Sequence, residues 1–181
     1  MTGHRAALAE IGAALDGVEA RALEEWCDAL AGAGVIVGYG CGREGLQMRG
    51  LIMRLHHLGL RVAMQGDMAA PPLGKGDAFL ASAGPGELAT VTALLRVAKA
   101  AGATTLLVTA EPARAPRALV DRLLTIPART MAQGEAGQSV LPMGSVFEGA
   151  LFVLFELLVA ALADRLGETP ETMRARHTNL E

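Results

Sequence analysis

From Val35 onward, short uninterrupted apolar runs alternate with segments of helical period, and this alternation restricts the chain more than any other feature of it. The runs are VIVGY, RVAMQ, AFLASA, TTLLVTA and RLLTI. Between them, apolar positions recur three and four residues apart over 43–57, 87–101 and 115–121, which predicts helices there. A strand that is apolar on both faces has to be buried on both faces, which calls for a parallel sheet with helices on either side. The expectation is a three-layer α/β/α sandwich around a roughly five-stranded parallel sheet. Ahead of it, Leu8, Ile11, Leu15, Val18, Ala22, Trp26 and Leu30 form one apolar stripe, predicting a single N-terminal helix that the GAG at 32–34 ends. Beyond the sheet, a loop rich in Gly and Gln leads to a long helix over 143–166. Thr169 and Pro170 then mark the cap and first position of a last short helix.

With 181 residues the chain fits one domain: an N-terminal helix over 1–33, a sheet core over 34–130 and C-terminal helices over 143–181. Its formal charge of −3, with basic residues scattered among acids, forms no basic stripe and argues against nucleic acid as a partner. The start reads as an amphipathic helix interrupted by acids, not a secretory signal, so Cys27 and Cys41 are expected to be reduced thiols in a cytoplasmic protein. FEGALFVLFELLVAALADRL, at 147–166, is long and apolar enough to raise the question of a membrane span. Glu148 and Glu156 interrupt it, and a carboxylate in a bilayer is costly, so a buried core or oligomer helix is expected and no membrane.

In a parallel sheet ligands sit outside the carboxyl ends of the strands, which singles out the loops at 38–45, 82–87 and 109–116. The first carries Gly40, Gly42 and Gly45 in G-x-G-x-x-G spacing, with Asp67 at about the distance of a ribose-binding acid. In a dinucleotide fold that acid should end the second strand, whereas Asp67 follows Gly66 and starts the loop GDMAAPP. The glycines read instead as a tight strand-to-helix turn that lets backbone approach a ligand.

The motifs GYGCGREGL, MRLHHLGLRVAMQGDMAAPPLGKGD, SAGPGE, AKAAGATTLLVTAEP, LPMGSVFE and RHTNLE, in this order from about residue 34 onward, resemble the sugar isomerase (SIS) domain, and within it the 6-phospho-3-hexuloisomerase branch. The resemblance implies a doubly wound, flavodoxin-like domain acting as a homodimer or homotetramer on a sugar or sugar phosphate. It implies isomerisation through an enediol, without a metal or any other cofactor. Such a reaction needs a base that moves a carbon-bound proton and a group that handles the oxygens. Glu148, in GSVFE, and His177, in RHTNLE, match the family's acid and histidine and are the expected catalytic pair, His177 coming from a neighbouring subunit if need be. Without the resemblance, Glu148 is an acid placed favourably at a helix N-terminus and His177 a solvated surface residue.

Gly42, Arg43, Glu44, Ser82, Gly84, Gly86 and Glu87 are the expected substrate-binding residues. His56 and His57 lack metal-ligand spacing and are expected to be structural, as is Arg54 through a salt bridge. One departure is specific. Where the family presents hydroxyls to a phosphate, this chain has Glu44, Ala83, Pro85, Leu88 and Ala110. Pro85 also removes a backbone N–H from the anion loop, and Glu44 sets a carboxylate beside it. Glu44 could turn away to pair with Arg43 or Arg49, Ser82 could donate from a shifted loop, or Thr90 and Thr92 could substitute. The alternative is a binding protein without isomerase activity, whose site takes an unphosphorylated or cationic ligand that Glu44 contacts.

Overall fold

A computed structural model describes residues 3–130 and 139–180. The predicted Gly- and Gln-rich loop lies largely outside them. Five strands form one sheet in the order β2-β1-β3-β4-β5, every neighbouring pair parallel. They are β1 (Ile36–Gly40), β2 (Val62–Met64), β3 (Ala78–Ser82), β4 (Thr104–Thr109) and β5 (Arg122–Thr125). Among the described residues six α-helices accompany them: α1 (Gly3–Asp16), α2 (Ala20–Ala31), α3 (Gly42–His57), α4 (Ala89–Ala100), α5 (Ser145–Leu166) and α6 (Pro170–Ala175). This is the α/β sandwich the alternating runs predict.

The two faces of the sheet bury alternate residues of each strand. Ile36, Leu80, Leu106 and Val108 point into a core with Trp26 and Leu30 of α2, Met48 and Leu55 of α3, and Leu151 and Leu158 of α5. Val37, Phe79, Ala81 and Leu107 point the other way, against Val91, Leu95 and Ala98 of α4. Burial on both sides is why these strands carry no polar alternation. Among the described residues α5 alone has the length and apolarity to cross a bilayer. Its Ala150, Leu151, Leu154 and Leu158 are spent on packing, with α1, α2 and α3 against it.

Two predicted helices are corrected. The single N-terminal helix is two, broken over residues 17–19. A Cβ on Gly17 would lie 2.3 Å from the Pro127 ring, so the chain turns here where the end of the sheet crosses it, and α1 leaves α2 to pack on α5. The helix predicted over 115–121 is replaced by two single 3₁₀ turns, Pro112–Arg114 and Arg117–Leu119. Pro112 and Pro116 withhold the amides a longer helix would use. Asp121 then fastens the segment to β4, accepting from the Thr105 amide at 3.0 Å and from its hydroxyl at 3.0 Å.

The strand order reverses between β1 and β3: the chain passes from β1 to β2 on one side, then crosses to β3 on the other. The carboxyl ends of β1 and β3, at Gly40 and Ser82, therefore flank the crevice where a doubly wound sheet offers a ligand room. At that point α3 begins against the strand it follows. A Cβ on Gly45 would sit 2.5 Å from the Gly40 carbonyl oxygen, and Gly42 turns the chain with φ of +54°. The glycine spacing thus serves a close strand-to-helix approach and leaves the NAD reading without support.

Candidate active site

A cleft of about 480 Å³ opens at this crevice, between the start of α3, the loop after β3 and the start of α5. Gly42, Arg43 and Glu44 line it from α3, Pro85 and Leu88 from the loop, and Phe147 and Glu148 from α5. Arg43 and Glu44 are neighbours in sequence but reach in different directions.

Arg43 reaches α5. Its Nε lies 2.9 Å from Glu148 Oε2, Nη1 donates to Ser145 Oγ at 3.1 Å, and Nη2 donates to the Met143 carbonyl at 2.8 Å. That carbonyl belongs to a turn in which Met143 has φ of +54° and Gly144 +81°, left-handed backbone that a methionine rarely adopts. No side chain caps the helix at Gly144. One guanidinium therefore holds both the turn and the acid that follows it. The Glu148 side chain is 17% exposed. Burial pushes its carboxyl above the usual range, Arg43 pulls it down, and the neighbouring Glu44 pushes it up again.

Glu44 reaches β3. Its carboxylate accepts from the buried Ser82 hydroxyl at 2.5 Å and from the Gly84 N–H at 3.0 and 3.1 Å. A Cβ on Gly84 would stand 2.9 Å from Glu44 Oε1 and 3.1 Å from the Phe147 ring, so only glycine admits the carboxylate. Desolvation raises the Glu44 carboxyl above its ordinary range, and the two donors lower it by less.

Of the expected substrate-binding residues, Gly42, Arg43 and Glu44 line the cleft, and Ser82 and Gly84 meet it through Glu44. Gly86 and Glu87 lie farther along the same loop and do not line it. Two of the three ways around Glu44 are corrected: it does not turn away to pair with Arg43, which pairs with Glu148, and the Ser82 hydroxyl is committed to Glu44. Thr90 and Thr92 do not line the cleft. Cys41, Thr130, Met143, Gly144 and Phe147 also line the cleft. Of these, Met143, Gly144 and Phe147 fall inside LPMGSVFE, while nothing around Thr130 marks it.

His177 is elsewhere. Its ring stacks on that of His57 at 5.2 Å, beside a groove formed with Met53, Arg54 and Met173. His57 ends α3 and Glu44 begins it, so about 20 Å of helix separates the two places. Within one chain the structure does not bring Glu148 and His177 together. Arg176 explains the position: it donates to the His57 carbonyl at 2.8 Å and to both Glu168 oxygens at 2.7 and 3.0 Å, fastening the C-terminal segment to the end of α3. Arg54 instead bridges to Glu156 of α5 at 3.3 Å.

An all-parallel sheet with a cleft at its switch point, and an arginine-held acid at the start of a core helix, define an α/β domain with a ligand-sized cleft at the carboxyl ends of its strands. No family model matches the chain. It is 36% identical over 142 residues to a protein of Mycobacterium gastri named 3-hexulose-6-phosphate isomerase, across 78% of this chain and 71% of that one. Among solved structures, a Methanococcus jannaschii protein inferred to be a 3-hexulose-6-phosphate isomerase superposes with a TM-score of 0.78 at 24% identity, over 89% of this chain and 86% of that one. The Vibrio vulnificus NanR protein, complexed with ManNAc-6P, superposes with a TM-score of 0.77 at 19% identity, over 96% of this chain and 65% of that one. The chain belongs to the sugar isomerase (SIS) family, near its hexuloisomerase branch.

Proposed function

We infer that the chain is a sugar isomerase of the ketose-ketose or aldose-ketose type, and that Glu148 is its carbon base. One observation carries this reading: a largely buried carboxylate with a raised pKa faces the cleft, in a position fixed by Arg43. A base poised above the ordinary carboxylate range takes a carbon-bound proton more readily near neutral pH. Glu148 removes the proton from the carbon beside the carbonyl, the C–H electron pair becomes the C=C bond of an enediol, and the carbonyl oxygen takes up a proton. The reverse steps at the neighbouring carbon give the product. No electrons leave the sugar, so the step needs no oxidant or reductant. The names of relatives such as the M. gastri protein support a hexulose skeleton.

His177 can handle the oxygens only if a second copy of the chain delivers it, which accords with the proposal of a homodimer or homotetramer. Leu46 and Met53 on α3 and Phe152 and Leu157 on α5 are exposed apolar side chains that such an assembly would cover. The remoteness of His177 within one chain also favours a second reading, a sugar-binding protein without isomerase activity. Incubation with fructose and with fructose 6-phosphate in D₂O, followed by NMR, separates the two. Deuterium should enter at the carbon positions flanking the carbonyl, and Glu148→Gln should slow this by about 10²- to 10⁴-fold. Binding without deuterium entry would establish the second reading.

A further inference from the structure

The loop after β3 has the form of an anion cradle, and its donors from Ser82 to Gly86 are already taken. The Ala83 N–H donates to Val108 O at 3.0 Å, the Gly84 N–H to Glu44, and the Gly86 N–H to Ala83 O at 2.9 Å, while Pro85 has no N–H to give. The Ser82 hydroxyl also donates to Glu44, and the Ala110 N–H, which faces the loop from β4, donates to Gly84 O at 3.1 Å. The loop is held from behind as well, by Thr109 Oγ1 on the same carbonyl at 3.3 Å. The two donors that point toward the cleft converge on one carboxylate, and that carboxylate is the chain's own. Around them the described lining carries one guanidinium, Arg43, against two carboxylates, Glu44 and Glu148, with Arg43 engaged by the second.

We propose that Glu44 is a tethered occupant of the anion cradle, which makes the cleft selective for sugars that carry no phosphate at that end. A phosphate entering here would have to displace a carboxylate held by the Ser82 hydroxyl and the Gly84 amide, or lie beside that carboxylate with the donors from Ser82 to Gly86 already engaged. An unphosphorylated sugar meets neither obstacle, because its hydroxyls can donate to Glu44 as well as accept from Arg43. Relatives named for hexulose 6-phosphate share the scaffold; in this chain the first turn of α3 supplies the negative charge that their ligand's name implies. The inference rests on the cleft being the sugar site, but not on the chemistry of Glu148.

Calorimetric titration of the full chain with fructose, fructose 6-phosphate and inorganic phosphate tests it, on the wild type and on Glu44→Ser and Glu44→Gln. The wild type should bind fructose 6-phosphate no more tightly than fructose, and inorganic phosphate should give no heat. Glu44→Ser, which empties the cradle, should gain affinity for inorganic phosphate and for fructose 6-phosphate of about tenfold or more. Glu44→Gln removes the charge but still fills the space, so it should gain much less. Wild-type binding of fructose 6-phosphate at least about tenfold tighter than fructose would overturn the proposal, and that comparison needs no variant to fold. A folded Glu44→Ser without any gain for phosphate would overturn it as well. Deuterium entry reports separately on Glu148: a cradle opened by Glu44→Ser with no exchange in any protein would sink the isomerase reading and leave this one intact.

Discussion

The two ends of α3 carry similar side chains and put them to opposite use. At its start, Arg43 and Glu44 reach across to α5 and β3 and leave a cleft between their partners. At its finish, Arg54 closes on Glu156, and Arg176 donates to the His57 carbonyl and to Glu168, so the charged groups answer one another and the helix end. Fold position makes the difference. The start of α3 follows β1 at the carboxyl ends of the strands, at the point where strand order reverses, whereas the finish lies at the amino ends of the strands, beside the groove lined by Met53, Arg54 and Met173. An inventory of Arg, Glu and His therefore does not locate chemistry in this molecule until the topology is known.

The sharpest way to break the comparison is to remove the close approach that sets the start of α3. Gly45→Ala would press a methyl to 2.5 Å from the Gly40 carbonyl oxygen, a backbone atom that cannot swing aside, and should cost about 3 kcal/mol in chemical denaturation. An alanine at Gly50, on the same helix with open space around it, should be tolerated. Only if both substitutions cost the same does the strand-to-helix contact lose its special importance.

Next in size is Arg43→Ala, which releases Glu148 and the Met143 turn together. Loss of positioning should lower the isomerase rate by about 10²-fold. Arg43 also holds the Glu148 carboxyl down, so its removal raises that pKa further, and the acid limb of the pH-rate profile should move to higher pH. Movement to lower pH would mean that Glu148 is not the titrating base.

The strands and their order of burial could be read from the sequence because each run is apolar throughout, a pattern that a sheet covered on both faces produces and few other structures do. The N-terminal break could not, since the apolar stripe runs through residues 17–19 in unbroken period and the close neighbour of Gly17 at the break, Pro127, lies more than a hundred residues away. At the site, Glu44 is legible as an obstacle to phosphate only through the family resemblance, which implies a hydroxyl at its place. Its partners are not, because Ser82 and Gly84 lie 38 and 40 residues along the chain and meet it only when β1 and β3 become neighbours. His177 was placed by resemblance to a motif, and the contact that fixes it, Arg176 on the His57 carbonyl, is a tertiary hydrogen bond no pattern announces.

At the far end of α3 the expected effects are smaller. Arg176→Ala frees the C-terminal segment from the helix end and should lower Tm slightly in a thermal melt, with fructose affinity unchanged. A fall in fructose affinity of about tenfold or more would show that the two ends are not functionally separate. Such a result would point to delivery of the C-terminal segment into the cleft of a second copy.

The smallest effect lies in the pH dependence of stability, and its sign distinguishes a structural carboxylate from a strained one. Burial holds the Glu44 carboxyl above its unfolded value despite its two donors, so the folded state binds that proton more tightly than the unfolded chain does. The resulting stabilisation is fully present below the unfolded carboxylate range and is lost as pH rises through the folded pKa; above that point the ionised group weighs against folding. Glu44→Gln keeps an oxygen for Ser82 and Gly84 and has no charge to bury. Its Tm should exceed that of the wild type by about a few degrees at neutral pH, and the gap should close as the solution is acidified through the carboxylate range. The same substitution removes a negative neighbour that pushes Glu148 up, so the acid limb of activity should shift to lower pH, opposite to the shift from Arg43→Ala. A Glu44→Gln protein less stable than wild type at neutral pH would mean that the Ser82 and Gly84 donors outweigh the burial of the charge. The cradle would then be a site that holds its own carboxylate by preference, harder still for an outside anion to enter.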